Sequence, residues 1–185
     1  SNLAMVELQG GDFDAARIHC EEALAMAREV RDVRLEAINL SNLGNIAGRQ
    51  ADYPRARELF EQAVEINRRS GNRALEASNL RNLSEVALRL GDVERGTSLA
   101  EMSLSIAREV GDERVAGDAL ATLAGLALEL KQLDSARDWT RQCLAHRLRM
   151  GDRIGCAEML ERLPALLDDT DRASTPVVED VARML

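Results

Sequence analysis

The sequence of 185 residues is poor in aromatic side chains and carries no excess of positive charge. Its four aromatic residues, Phe13, Tyr53, Phe60 and Trp139, are too few for a base-stacking platform or an aromatic peptide groove. The formal net charge is −8, whereas nucleic-acid binding relies on Lys and Arg side chains that neutralise phosphates. We therefore expect this region to make no contact with nucleic acid.

The chain also has no long apolar run and few cysteines. No stretch approaches the roughly 18 apolar residues that span a membrane, and the first residues lack the features of a signal peptide. Cys20, Cys143 and Cys156 are odd in number and irregularly spaced, which favours a reducing compartment over a disulfide framework. We expect a cytoplasmic protein without membrane contact. Every basic residue except Lys131 is an arginine, a bias that indicates a GC-rich bacterial genome.

An internal repeat of forty residues dominates the sequence. Residues 38–77 align without a gap on residues 78–117, with 13 identical positions in 40. Residues 118–157 continue the register, residues 1–37 are a truncated copy, and residues 158–167 begin a degenerate fifth copy. A helix pair this short cannot bury its apolar stripe alone, so neighbouring pairs must stack. The repeat therefore predicts an all-α fold, an α-solenoid of antiparallel helix pairs.

Each repeat contains two amphipathic patterns. The spacings of three and four between Leu40, Leu43 and Ala47 give one apolar stripe, which recurs in the later repeats. A small residue inside this stripe, Gly44 in the second repeat, is expected to let a neighbouring helix approach closely. After a first helix at 1–9, the predicted helices cover residues 13–30, 33–49, 53–69, 73–90, 93–109, 113–130, 133–149 and 153–167.

Turn residues agree with this division. Gly71, Gly111 and Gly151 are expected to end second helices in the left-handed conformation. Side chains of Asp or Asn precede most of the predicted helices and are expected to act as N-caps, while Gln132 breaks the pattern. The predicted caps are Asp12, Asp52, Asn72, Asp92, Asp112 and Asp152.

The C-terminal part departs from the repeat. Pro164 takes the place that Ala124 has in the preceding repeat, and proline inside a helix removes a hydrogen bond and kinks it. We predict an acidic linker at 168–175 and a short amphipathic helix at 176–185. The acidic run is interpreted as solvated, because calcium binding needs more ligands in order.

Three features resemble the tetratricopeptide repeat (TPR). They are the Asn-Leu-small triplets at 42–44 and 82–84, the Gly-Asp turn at 91–92, and the second-helix pattern of Ala56, Phe60 and Ala63. The resemblance covers residues 1–163 and is strongest to the long-helix variant found in kinesin light chain and in C-terminal sensor regions of bacterial LuxR-type and STAND-type regulators. Unlike the usual repeat, this chain lacks the inter-repeat proline. The resemblance implies a right-handed superhelix whose first helices line a concave groove for a peptide or a partner protein segment.

Polar residues lie opposite the apolar stripe of the first helices, by helical geometry of about 100° per residue. Asparagine recurs at one repeat position, and its amide offers both a donor and an acceptor to an extended peptide backbone. Glu85 and Asp118 share this face with several arginines, which favours a solvated mixed-charge surface over a clamp for an acidic ligand. The candidate peptide-binding residues are Asn2, Ile38, Asn42, Asn45, Arg49, Ser78, Arg81, Asn82, Glu85, Arg89, Asp118 and Thr122.

The sequence contains no recognisable catalytic or cofactor motif. It has no phosphate-binding loop, and no residue completes a metal pair with His19. We expect His19 and His146 to be packed rather than to bind metal, and Cys20, Cys143 and Trp139 to lie in the core. No enzymatic activity, metal or cofactor is therefore expected.

These observations predict a non-catalytic interaction module, the regulatory or sensor part of a larger bacterial signalling protein or transcription regulator. Because the chain does not begin with Met, we expect more sequence before residue 1. Two alternatives stay open. The module is a self-association scaffold, a homodimer formed through an uncapped first repeat, or a small-molecule sensor in the concave groove, for which Ile38 is the one apolar candidate.

Overall fold

The structure, a computed structural model, describes residues 13–161. Within this range it is built of helices and short turns, without a strand. The predictions for Asn2, Asp12, the helix at 1–9, the linker at 168–175 and the helix at 176–185 lie outside the described residues. The helices are α1 (Phe13–Glu29), α2 (Val33–Arg49), α3 (Tyr53–Arg69), α4 (Arg73–Arg89), α5 (Val93–Val110), α6 (Glu113–Glu129), α7 (Leu133–Arg149) and α8 (Arg153–Glu161).

The helices stack as pairs into an α-solenoid, as the repeat predicts. Each helix packs against the next one along the chain. The first helices of successive pairs, α2, α4 and α6, also contact one another, whereas such contacts between second helices are weaker or absent. The stack therefore curves toward the first helices, which line its concave side.

The core follows the two predicted stripes. In α2, Leu40, Leu43 and Ala47 are buried, and their counterparts in α4 and α6 are buried too. In α3, Ala56, Leu59, Phe60 and Ala63 are buried against them. Burying apolar area at roughly 25 cal/mol per Å² is the main force that holds successive pairs together.

The small-residue position makes the close approach that the sequence predicts. A Cβ atom added to Gly44 would lie 2.8 Å from Cε1 of Phe60, so only glycine fits against that ring. In the next pair, Ser84 donates its hydroxyl hydrogen to the carbonyl oxygen of Gly96, at 2.7 Å. First and second helices of one pair therefore touch at this level.

The turns repeat every twenty residues with one residue in the left-handed region. Gly71, Gly111 and Gly151 have φ of 69°, 72° and 71°, which confirms their predicted role. Arg31, Ala51 and Lys131 adopt the same conformation with φ of 56°, 60° and 56° although they carry a Cβ atom.

The predicted caps within the described range are confirmed. Asp52, Asn72, Asp92, Asp112 and Asp152 each accept a hydrogen bond from the backbone N–H three residues later. Gln132, which breaks the pattern in the sequence, makes no side-chain cap hydrogen bond.

Most of the residues expected to be packed are buried, whereas His19 and Trp139 are half-buried. Cys20, Cys143 and Cys156 are buried free thiols, and Trp139 lies half-buried against the core. His146 is 6% exposed, and its Nε2 lies 2.7 Å from the carbonyl oxygen of Glu113. These side chains therefore serve the packing of the solenoid.

Candidate functional site

The concave side holds two adjoining cavities, which together we call the concave groove. The first cavity, of about 490 Å³, lies between α2 and α4, with Tyr53 and Phe60 of α3 in its wall. The second cavity, of about 370 Å³, lies between α4 and α6 and extends to Arg147 of α7 and Met159 of α8. Arg81, Glu85 and Arg89 of α4 line both cavities. The groove therefore runs across three successive first helices.

Most of the candidate residues line this groove. The exceptions are Asn2, which lies outside the described residues, and Ile38 and Ser78, which line neither cavity. Ile38 and Ser78 lie one helical turn before Asn42 and Asn82, and both are half-buried. The remaining candidates in the first cavity are Asn42, Asn45, Arg49, Arg81, Asn82, Glu85 and Arg89. Those in the second cavity are Arg81, Glu85, Arg89, Asp118 and Thr122.

A polar network connects α2 to α4 inside the first cavity. Asn82 donates from Nδ2 to Oδ1 of Asn45 at 3.3 Å. Arg81 donates from Nη2 to Oδ1 of Asn82, and from Nη1 to Oε1 of Glu85 at 2.6 Å. The Asn82 amide is thus oriented by its neighbours, and its side chain has two N–H donors, of which Asn45 accepts one.

The groove has an excess of positive charge in a chain that is acidic as a whole. Among the side chains that the structure describes, four arginines and two carboxylates, Glu85 and Asp118, line its two cavities. Arg49 and Arg89 form no ion pair with any of these described side chains. The groove thus carries both charges, as the sequence indicates for this face, with more arginines than the net charge of −8 suggests.

Arg147 is a groove residue that the sequence analysis missed. It belongs to a second helix, α7, at a repeat position where the other pairs carry Ala27, Asn67 and Ala107. Its side chain is 13% exposed and lines the second cavity. The departure from small residues at this position was the available signal. The apolar part of the groove, Tyr53, Phe60, Val86 and Met159, was also missed.

The thiols near the groove are poor nucleophiles. Burial raises the pKa of Cys143, although the neighbouring Arg147 opposes this effect. Burial also raises the pKa of Cys156. Since the thiolate is the reactive form, neither thiol is activated at neutral pH.

Among residues 13–161, no group of three or more His, Cys, Asp or Glu side chains is placed to hold a metal ion. None of the helices in that part of the chain has the length and hydropathy needed to cross a membrane.

Comparison with known proteins supports the repeat architecture. Residues 1–69 match the family model described as tetratricopeptide repeat. No curated protein sequence matches the chain.

Solved structures share the fold at low identity. BtubC (BKLC) from P. vanneervenii has a TM-score of 0.75 and 21% identity, and the match covers 98% of this chain and 76% of that one. The apo form of RapI has a TM-score of 0.84 and 18% identity, and the match covers 97% of this chain and 64% of RapI. The TPR-like repeats of a Podosopora anserina kinesin light chain have a TM-score of 0.68 and 19% identity, covering 92% and 94% of the two chains. At these identities the likeness shows the fold alone.

Proposed function

We propose that this chain is a helical repeat protein of the tetratricopeptide family with a non-catalytic function. Its concave groove binds an extended segment of a peptide or partner protein. The observation that carries this proposal is the continuity of the groove, whose two cavities share Arg81, Glu85 and Arg89 and span α2, α4 and α6. Polar side chains from each of these helices face into it.

The dimensions of the groove suit an extended chain. Packed helices are about 10 Å apart, so three successive first helices cover roughly 20 Å. An extended chain rises about 3.3 Å per residue, so about six residues cross this distance. Asn42, Asn45 and Asn82 offer amide donors and acceptors to the backbone of such a segment, while Tyr53 and Phe60 offer apolar contact to its side chains.

We further propose that the module is the regulatory or sensor part of a larger bacterial signalling protein or transcription regulator in the cytoplasm. Three buried free thiols are compatible with a reducing compartment. The resemblance to the TPR regions of bacterial regulators supports the regulatory role, and the match that covers 64% of RapI shows that this fold occurs in longer chains.

The test is a selection of peptides by the purified chain from a random dodecapeptide library displayed on phage. We expect a family of related sequences to be enriched. Synthetic versions of the selected peptide are then measured against three forms of the protein by fluorescence anisotropy. Asn42→Ala/Asn82→Ala should weaken binding by about tenfold, since each amide supplies hydrogen bonds to the peptide.

Ser78→Ala is the matched control, because Ser78 lies on the same helix as Asn82 but outside both cavities. It should bind like the unchanged protein. Failure to enrich any peptide family, or equal affinity in the double asparagine variant, would contradict groove binding. Native mass spectrometry of the same samples distinguishes the alternatives, since a dimer indicates self-association and a bound small mass indicates a metabolite sensor.

A further inference from the structure

The fourth copy of the repeat, residues 118–157, differs from the others at two positions that face each other, one on α7 and one on α8. At the first position the chain has Ala27, Asn67, Ala107 and then Arg147; at the second it has Leu35, Leu75, Val115 and then Gly155. The fourth copy thus exchanges a small residue for arginine and an apolar residue for glycine.

The two exchanges are sterically linked. A Cβ atom on Gly155 would lie 1.5 Å from Nη1 of Arg147, and 2.2 Å from Oδ2 of Asp152. Any side chain larger than hydrogen at position 155 would therefore displace the guanidinium. Position 155 therefore carries no apolar side chain, and the guanidinium of Arg147 occupies the space that such a side chain would fill.

The guanidinium of Arg147 pairs more closely with Asp152 than with Asp118, and it also interacts with the neighbouring thiol of Cys143. Nη1 donates to Oδ2 of Asp152 at 2.9 Å. Nη2 lies 3.7 Å from Oδ1 of Asp118, whose other oxygen accepts a hydrogen bond from Arg114 at 3.2 Å. Nε is buried and has no hydrogen-bond partner. Burying a charged group with unfilled donors costs free energy, so packing alone does not explain why arginine stands here.

The unfilled donors lie on one edge of the guanidinium. Nε–H and one N–H of Nη2 point in parallel, and this edge matches the two oxygens of a carboxylate. Asp118, whose Oδ1 lies 3.7 Å from Nη2, lines the second cavity together with Arg147. Arg81 and Arg89 of α4 line it too, so three cations and two carboxylates surround the cavity among the side chains that the structure describes.

We propose that Arg147 is a specificity-determining residue of the concave groove, which seats the carboxylate of an Asp or Glu side chain of the bound segment. The incoming carboxylate takes the place of Asp118 beside Nη2 and fills Nε as well. Asp152 keeps the guanidinium in place from the other side. This inference rests on the proposed function and adds the charge of the ligand and its position along the groove.

The test uses a variant that copies the preceding repeat. Arg147→Ala/Gly155→Val recreates the pair Ala107 and Val115, whose side chains are both fully buried in the described structure. This variant should fold, because it restores an apolar contact that the chain already uses. Before binding is measured, the far-ultraviolet circular dichroism spectrum and the unfolding midpoint of the variant establish that it is folded.

The same dodecapeptide library is selected against the unchanged chain and against this variant. We expect Asp or Glu at one fixed position among the peptides that the unchanged chain enriches, and no such preference with the variant. A selected peptide, amidated at its C-terminus so that only its side chain supplies a carboxylate, is then compared with its Glu→Gln or Asp→Asn form. The exchange should weaken binding to the unchanged chain by about tenfold or more and leave binding to the variant unchanged.

Arg141→Gln is the charge-matched control, because Arg141 lies on the same helix as Arg147, pairs with Asp138 and does not line the second cavity. It should keep the acidic preference. Enrichment of peptides without a fixed acidic position, or an equal acidic preference in Arg147→Ala/Gly155→Val, would overturn the role of Arg147 while leaving groove binding intact. Enrichment of no peptide at all would instead contradict the proposed function.

Discussion

Gly44 lies against the ring of Phe60, and a Cβ atom at this position would be only 2.8 Å from Cε1 and 2.9 Å from Cζ. Gly48, one turn later on α2, has no heavy atom within 4 Å of the corresponding point. Two glycines of one helix therefore serve different purposes, since the first makes a helix contact and the second lines the open groove.

This difference predicts opposite effects on stability. Gly44→Ala should lower the free energy of unfolding by about 1–3 kcal/mol, because the Phe60 ring is buried and cannot move away freely. Gly48→Ala should raise it by about 0.5–1 kcal/mol, because alanine restricts the unfolded chain and fits the helix. Urea titrations followed by circular dichroism measure both. Equal effects of the two substitutions would contradict the contact between Gly44 and Phe60.

A second prediction concerns the left-handed turns. Ala51→Gly should stabilise the protein by about 0.5–1 kcal/mol, because Ala51 has φ of 60° and its Cβ atom is strained there. Gly91→Ala, at the equivalent turn with φ of 81°, should destabilise it by about 1 kcal/mol. Thermal unfolding of the two variants provides the measurement. The prediction fails if Ala51→Gly lowers the unfolding midpoint.

A third prediction follows from the buried thiols. Burial raises the pKa of Cys143 and Cys156 in the folded protein, so the unfolded state loses thiol protons at lower pH than the folded state does. The difference in thiol pKa contributes to the free energy of unfolding. This contribution is fully present below the thiol pKa of the unfolded chain, about 8.5, and is lost as the pH rises toward the higher pKa of the folded protein. The chain has one Tyr and Lys131 as its one Lys, so few other groups titrate in this range.

The measurement is the urea midpoint between about pH 8 and pH 10. The midpoint of the unchanged chain should fall as the pH rises, and Cys143→Ala/Cys156→Ala should flatten this fall. The substitution Thr140→Ala serves as the control and should leave the pH dependence unchanged, because Thr140 is buried on the same helix as Cys143 but carries no thiol. An identical pH dependence in the double variant would contradict a burial effect on these thiols.

The helices could be predicted closely because their signals are local. The seven predicted from 13–30 to 133–149 end within one residue of the observed bounds, since most of them begin after a capping side chain and each is followed by a turn with a left-handed residue. Gly71, Gly111 and Gly151 indicate three of those turns in the sequence. Ala51 gives no such signal, because alanine rarely adopts the left-handed conformation; the turn there is closed by backbone hydrogen bonds from Ala51 to Gly48 and from Asp52 to Ala47.

The groove could be predicted only in part. Periodicity places Asn42, Asn45 and Asn82 on the correct face, but the hydrogen bond between Asn45 and Asn82 depends on the separation of two helices, which one helix pattern does not contain. Arg147 was missed for a similar reason. The repeat pattern places it on a second helix, away from the predicted groove. Its position in the groove depends on the space that Gly155 of the next helix leaves for its guanidinium.

The neighbour-only contacts between helices bear on how the protein is made. Within residues 13–161, each helix packs against the next, and first helices reach only as far as the next first helix. Such local contacts require little loop closure and favour rapid folding. As the chain leaves the ribosome, a helix pair can therefore dock on its predecessor before the remaining repeats exist, and assembly proceeds in the order of synthesis.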